Sequence, residues 1–204
     1  SPNFQIVVPH SEEYPRNSEG AIAILPNGQW LLGWTGFYGG FQDHSAAHIL
    51  GMWSQDKGES WTKSQVLLEN DGKCNVMNVC FAVLHNGSII MSHVRTDDQT
   101  GFYSWPFYSK STDGGHTWST HKPMVDMESW FGFPTNDRLL ELSSGRLLIP
   151  IGFHSKDTGG QTESFVRASY SDDSGETWEL SSNSATIGPT SGRGDARFKG
   201  VVEP

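Results

Sequence analysis

Three short stretches, SQDKGESW at Ser54–Trp61, STDGGHTW at Ser111–Trp118 and SDDSGETW at Ser171–Trp178, share the pattern S-x-D-x-G-x-[ST]-W. Their recurrence constrains the fold more than any other feature of the chain. Each combines an Asp that accepts from turn N–H groups, a Gly that supplies positive φ, a hydroxyl, and a Trp that folds back over the hairpin base. A single copy would be an ordinary hairpin loop. Three copies, with Asp56, Asp113 and Asp173 separated by 57 and 60 residues, are a structural repeat. A second feature runs in phase: Gly28, Gly87 and Gly145, spaced 59 and 58 apart, each sit in a tight turn between apolar runs.

Each period therefore reads strand, tight turn, strand, variable loop, strand, Asp-centred turn, strand. The expected fold class is all-β, a β-propeller of four-stranded antiparallel blades. The repeats fall at roughly 14–70, 71–129 and 130–190, with the start of a fourth at 191–204, so about three and a half blades are expected in 204 residues. The chain reads as the N-terminal part of a larger, partial propeller. An isolated arc would leave open blade edges and a tendency to self-associate through them.

A net charge of −9, with acidic residues spread through the turns, argues against a nucleic-acid partner. No apolar run approaches membrane-spanning length and no signal-peptide core is present, so no membrane partner is expected. The chain begins Ser-Pro without Met, which is compatible with removal of a targeting segment, and a secreted or periplasmic location is expected. Eight Trp, eleven Phe, five Tyr and 23 Gly suit a β-rich fold with aromatic-lined sites; sugar-binding clefts commonly use such rings, and most of them here are expected in the core. Cys74 and Cys80 would stand roughly 20 Å apart on an extended segment, too far to bridge, and read as buried thiols. His44 and His48 would be about 13 Å apart on a strand, so no metal site is expected, and no cofactor either. Asn86-Gly87-Ser88 is formally a glycosylation acceptor within a hairpin turn.

Polar residues gather on one side of the repeat. An extended run, Phe4–Val8, precedes the apolar strand Ala21–Leu25, and nine residues before each turn Gly stand Glu19, Asn78 and Asn136. Each is polar at the entry of an otherwise apolar first strand and is expected to face an axial pocket. After the second strand come Gly39-Gly40-Phe41-Gln42-Asp43-His44 in the first repeat, His93, Arg95, Asp97 and Asp98 in the second, and His154, Lys156 and Asp157 in the third. These loops should emerge beside the strand entries, opposite the Asp-centred turns, whose aspartates are then structural. Arg138 flanks the funnel with Asn136, although alternation sends one of Asn136 and Asp137 away from it. Ser181–Gly200 is a longer Ser- and Gly-rich loop of the kind that often carries function, and its Arg193-Gly194-Asp195 string is incidental.

These Asp-centred boxes make the chain resemble the sialidase (neuraminidase) superfamily. The resemblance implies a six-bladed propeller and an exo-acting glycosidase that removes a terminal sialic-acid-like acidic sugar with retention. It places Arg16, in Tyr14-Pro15-Arg16, at the position of the arginine that binds the sugar carboxylate. Asp43, after its Gly-rich loop, matches the acid/base aspartate. Glu203, before Pro204, matches the glutamate that activates a tyrosine nucleophile, which would lie beyond residue 204 with two further arginines. A guanidinium fork pairs bidentately with a carboxylate, and a tyrosine nucleophile avoids the repulsion between an anionic sugar and a carboxylate. The residues alone also allow Arg16 as a surface partner of Glu19, Asp43 as a loop-shaping residue and Glu203 as ordinary strand polarity. Glu19, His44, Asn78, Arg95, Asn136, Arg138 and His154 complete the expected substrate-binding set. Two alternatives stay open: a lyase or glycosidase acting on another acidic sugar such as a uronate, with His93 and His154 as proton-transfer groups, and a carbohydrate-binding propeller without chemistry.

Overall fold

The computed structural model describes residues 5–97, 104–125, 130–134, 137–155, 162–185 and 198–199. Its elements are all β-strands. β1 (Arg16–Ile24), β2 (Trp30–Phe37), β3 (Ala47–Ser54) and β4 (Gln65–Leu68) form one antiparallel sheet in that order. β5 (Asn75–Val83), β6 (Ile89–Thr96), β7 (Ser104–Ser111) and β8 (Lys122–Pro123) repeat it. In the third sheet β11 (Leu147–Ser155), β12 (Thr162–Ser171) and β13 (Glu179–Leu180) follow an inner strand cut into two pieces, β9 (Trp130–Phe133) and β10 (Leu140–Glu141), both paired with β11. β14 (Phe198–Lys199) lies parallel to β12, unlike the antiparallel pairings within the sheets. The rest of the expected fourth unit, with the Arg193–Asp195 string, falls outside the described residues.

The first two strands of each sheet are joined as the Gly spacing predicts. Gly28 N donates to Leu25 O, Gly87 N to Leu84 O and Gly145 N to Leu142 O, each at 2.8 Å, with Gly φ of 82, 83 and 84°. The strand before the first turn is longer than expected: β1 begins at Arg16, not Ala21, because Arg16 already opposes Phe37. The described part of the Phe4–Val8 run is not a strand, and Val7 and Val8 lie against Trp34, Leu50 and Met52.

The blades pack face to face, which is why their strands read as nearly continuous apolar runs. Leu31, Ile49 and Trp53 of the first sheet meet Val76, Phe81, Ile89 and Met91 of the second. The opposite face of the second sheet, with Cys80, Ile90 and Tyr108, meets Leu147, Ile149, Ile151 and Phe153 of the third. Burying each large side chain contributes about 1.5–3 kcal/mol. Gly33 marks where the first seam closes tightest, since a Cβ there would stand 2.6 Å from the Phe81 ring. Both cysteines are buried thiols.

The three Asp boxes are near copies of one another. In the first, Asp56 Oδ1 accepts from Ser54 Oγ at 2.8 Å and Ser60 N at 2.8 Å, and Oδ2 accepts from Ser60 Oγ at 2.6 Å. Asp113 with Ser111 and Thr117, and Asp173 with Ser171 and Thr177, repeat the arrangement. These hydrogen bonds hold all three carboxyls at a pKa of about 2, led by the Ser or Thr hydroxyl. The box tryptophans reach further than a hairpin base: Trp118 stacks on Phe81 of its sheet at the first seam, and Trp178 meets Tyr108 of the preceding sheet at the second.

Candidate functional site

The pairing registers separate the two ends of the blades. Trp30 opposes Ser54 beside the first Asp box, while Arg16 opposes Phe37 and Phe37 opposes Ala47 at the other end. Arg16 and the loop containing Asp43 therefore share the end away from the boxes. The loop is pinned at its base, where Tyr38 N and Gly39 N both donate to Ala46 O, and at its tip, where Ser45 N donates to Gln42 O. Gly39 is required there, because a Cβ would lie 2.7 Å from Ala46 N.

The Arg16 guanidinium is the centre of this end. Nη1 donates to Asp43 Oδ1 at 2.6 Å and to Phe41 O at 3.1 Å, Nη2 lies 3.4 Å from Glu19 Oε1, and the Phe37 ring stands 4.3 Å behind. Glu19 can reach back because it occupies a bulge between Ser18 and Ala21 with φ of 49°. Its Oε2 is buried without a partner among the described residues. Asp43 is the open member, its side chain 66% exposed. His44 lies in the same exposed turn, its carbonyl accepting from Cys74 Sγ at 3.3 Å.

The other expected pocket residues are distributed differently. Asn78 does occupy the bulge equivalent to that of Glu19, with φ of 61°, but it is buried: its N donates to Thr35 Oγ1 and its Nδ2 to Pro134 O, tying the three sheets together. Among the described residues of the third sheet Asp137 has a left-handed φ of 52°, eight residues before Gly145 and next to the Asn136 to which the sequence offset of nine points. Asp137 Oδ1 accepts from Phe81 N at 3.2 Å, and partial burial pushes its carboxyl pKa up. Arg138 is exposed beside it. Asn136, Glu203, Asp98, Lys156 and Asp157 lie outside the described residues, and of His154 only the backbone, within β11, is described.

His93 and Arg95 belong to β6, not to a loop. Arg95 lies 3.2 Å from Asp71 Oδ1 and 3.3 Å from Asp97 Oδ2, so it fastens the exit of the first sheet to the second. His93 is fully buried, with Nε2 3.2 Å from His121 Nδ1, whose Nε2 lies 3.0 Å from Asp71. The three groups form a chain from the buried His93 ring through His121 to Asp71. Burial, with His121 second, lowers the His93 pKa to about 3. A sealed imidazole is no base for a substrate in the mouth, which removes His93 from the expected pocket.

Several residues at this end escaped the sequence reading. Tyr14 Oη lies 3.0 Å from His48 Nε2, and His48 Nδ1 3.4 Å from Glu69. Burial raises the Tyr14 pKa, with Glu13 adding to it. Asn75 is the other: it stands 59 residues after Arg16, one repeat on, a spacing that would have found it.

The sequence profile of the BNR repeat-like domain matches residues 28–198. The chain belongs to this BNR repeat-like family. No curated protein sequence matches it. Among solved structures, this BNR repeat-like chain superposes on a Hadza microbial sialidase with a TM-score of 0.72 at 19% identity, covering 85% of this chain and 39% of the sialidase. A Trypanosoma rangeli sialidase in complex with 2,3-difluorosialic acid, a covalent intermediate, gives 0.70 at 17% identity over 84% and 31%. A Dyadobacter fermentans protein of unknown function gives 0.70 at 16% identity over 86% and 56%. At these identities the likeness is one of fold: sialidase-like, four-stranded propeller blades. The chain spans about two fifths of the Hadza sialidase and under a third of the Trypanosoma one.

Proposed function

We propose that this chain carries the carboxylate-binding arginine and the acid/base aspartate of a sialidase-type exo-glycosidase. The observation that carries the proposal is the Arg16–Asp43 contact of 2.6 Å at the end of the blades opposite the Asp boxes. Glu19 and the Phe37 ring orient the guanidinium, and exposed Asp43 occupies the arm that a ligand could take. A sugar carboxylate replaces Asp43 on Arg16, and the freed Asp43 turns to the glycosidic oxygen.

Asp43 takes up a proton from solvent once it leaves Arg16 and donates it to the leaving oxygen as the C–O bond breaks, while a tyrosine elsewhere in the protein, activated by Glu203, attacks the anomeric carbon. Asp43 next takes a proton from the water that releases the sugar, giving overall retention. The bound acidic sugar is thus the substrate and no cofactor takes part.

A panel of sialosides and uronic-acid polysaccharides presented to the full-length protein tests the assignment. Sialic acid release that disappears in Asp43→Ala is expected. Unchanged release in that variant, or an unsaturated product from uronates in place of sialoside hydrolysis, would overturn it.

A further inference from the structure

We infer that Asn75, the first residue of the second blade, is a positioning residue that fixes Asp43 of the first blade. Asn75 is fully buried. Its Nδ2 donates to Asp43 O at 2.6 Å and to Ser45 O at 3.0 Å, spending both amide protons on the turn that carries the exposed carboxylate. Cys74 Sγ donates to the carbonyl between them, that of His44, at 3.3 Å. Three successive carbonyls of the turn are therefore held by two successive residues of the neighbouring sheet. The two acceptors fix the amide orientation, since the opposite rotamer would aim a carbonyl oxygen at two carbonyl oxygens.

The arrangement anchors the backbone of residue 43 and leaves its side chain free. Within its own blade the turn is closed at its base by Ala46 O and at its tip by Gln42 O and Ser45 Oγ, while Arg16 holds Phe41 O. None of these contacts reaches the carbonyls of Asp43 or His44. Asn75 and Cys74 supply the missing restraint from across the seam, so the placement of Asp43 depends on how the second blade docks on the first. A group that must swing between Arg16 and a leaving-group oxygen needs such a fixed pivot, because small misplacements of reacting groups are costly. Asn75 occupies the repeat position of Arg16: Asn75 opposes Thr96 at the end of β5 as Arg16 opposes Phe37 at the end of β1. One repeat position thus binds the ligand in the first blade and positions the acid in the second.

The catalytic half of this inference rests on the sialidase reading; the clamp itself does not. Two measurements on full-length Asn75→Asp and Asn75→Ala separate them. Asn75→Asp replaces the donors with acceptors facing two carbonyls, and Asn75→Ala removes them without repulsion. Amide hydrogen exchange in residues 42–46 should accelerate about tenfold or more in both variants, with exchange in β2 and β6 unchanged. Sialoside kcat should fall about tenfold or more with KM within about twofold of wild type, the signature of a misplaced acid and an intact Arg16. Unchanged exchange in residues 42–46 in Asn75→Ala would overturn the clamp. Faster exchange with kcat unaltered would overturn the positioning role. Wild-type protein that turns over no sialoside would fail the functional reading, and the exchange comparison would still decide the clamp.

Discussion

Arg16 Nη1 and Asp43 Oδ1 meet at 2.6 Å although 27 residues separate them, and Glu19 holds the second arm of the same guanidinium at 3.4 Å. One cation therefore joins a strand entry, a bulge and the tip of a loop. Under the proposed function this planar fork is what receives the sugar carboxylate. Arg16→Lys keeps the charge and loses the fork. It should lower kcat/KM for a sialoside by about ten- to a hundredfold, mostly through KM, corresponding to about 1.4–2.7 kcal/mol. Steady-state kinetics of the full-length variant provide the check.

The Asp boxes predict an acid transition in stability. Asp56, Asp113 and Asp173 have folded pKa values of about 2 against an ordinary 3.8, set first by hydroxyl hydrogen bonds. The fold favours their ionised form, so the stabilisation is complete above about pH 4 and is lost as pH falls through about 2. Melting temperature followed from pH 5 to pH 2 should drop in the wild type. In Asp113→Ala the melting temperature should be lower at pH 5 and the drop on acidification shallower.

His93 predicts a second window at higher pH. Its folded pKa of about 3 lies below the ordinary 6.5, so the unfolded chain binds a proton that the folded chain refuses. This group therefore costs stability progressively as pH falls from about 6.5 towards 3, and costs none at pH 8. His93→Phe removes the titration from a fully buried position beside Phe107 and His121. Denaturant melts at pH 8 and pH 5 should show a smaller difference for the variant than for the wild type.

The first seam predicts the effect of a single methyl group. Gly33→Ala would place a Cβ 2.6 Å from one Phe81 ring atom and 2.7 Å from another. Phe81 is packed between Trp118 and the apolar side chains of both sheets and has little room to retreat. The variant should lose about 1–3 kcal/mol in urea unfolding, and Phe81→Leu in the same background should restore part of it.

What could be read from the sequence is what lies within a few residues. The Asp boxes close on themselves between Ser54 and Ser60, and the tight turns between Leu25 and Gln29, so their period revealed the blades. The same period put Arg16 and Asp43 at one end. Other contacts between residues far apart in sequence left no such trace. The burial of His93 depends on His121 and Asp71, each more than 20 positions away in sequence. Asn78 was recognised as the partner of Glu19 in the repeat, yet the carbonyl of Pro134 turns its amide inward. The third sheet divides its first strand between β9 and β10, and apolar periodicity carries no mark of that division.

The central claim, that Asp43 beside Arg16 is the proton-transfer group of a retaining sialidase, is tested most directly by proton NMR of a sialic acid glycoside during hydrolysis by the full-length protein. The predicted result is free sialic acid appearing first as the anomer of the substrate, with release reduced by at least about a thousandfold in Asp43→Asn. Release of the opposite anomer first, or release at the wild-type rate from Asp43→Asn, would contradict it.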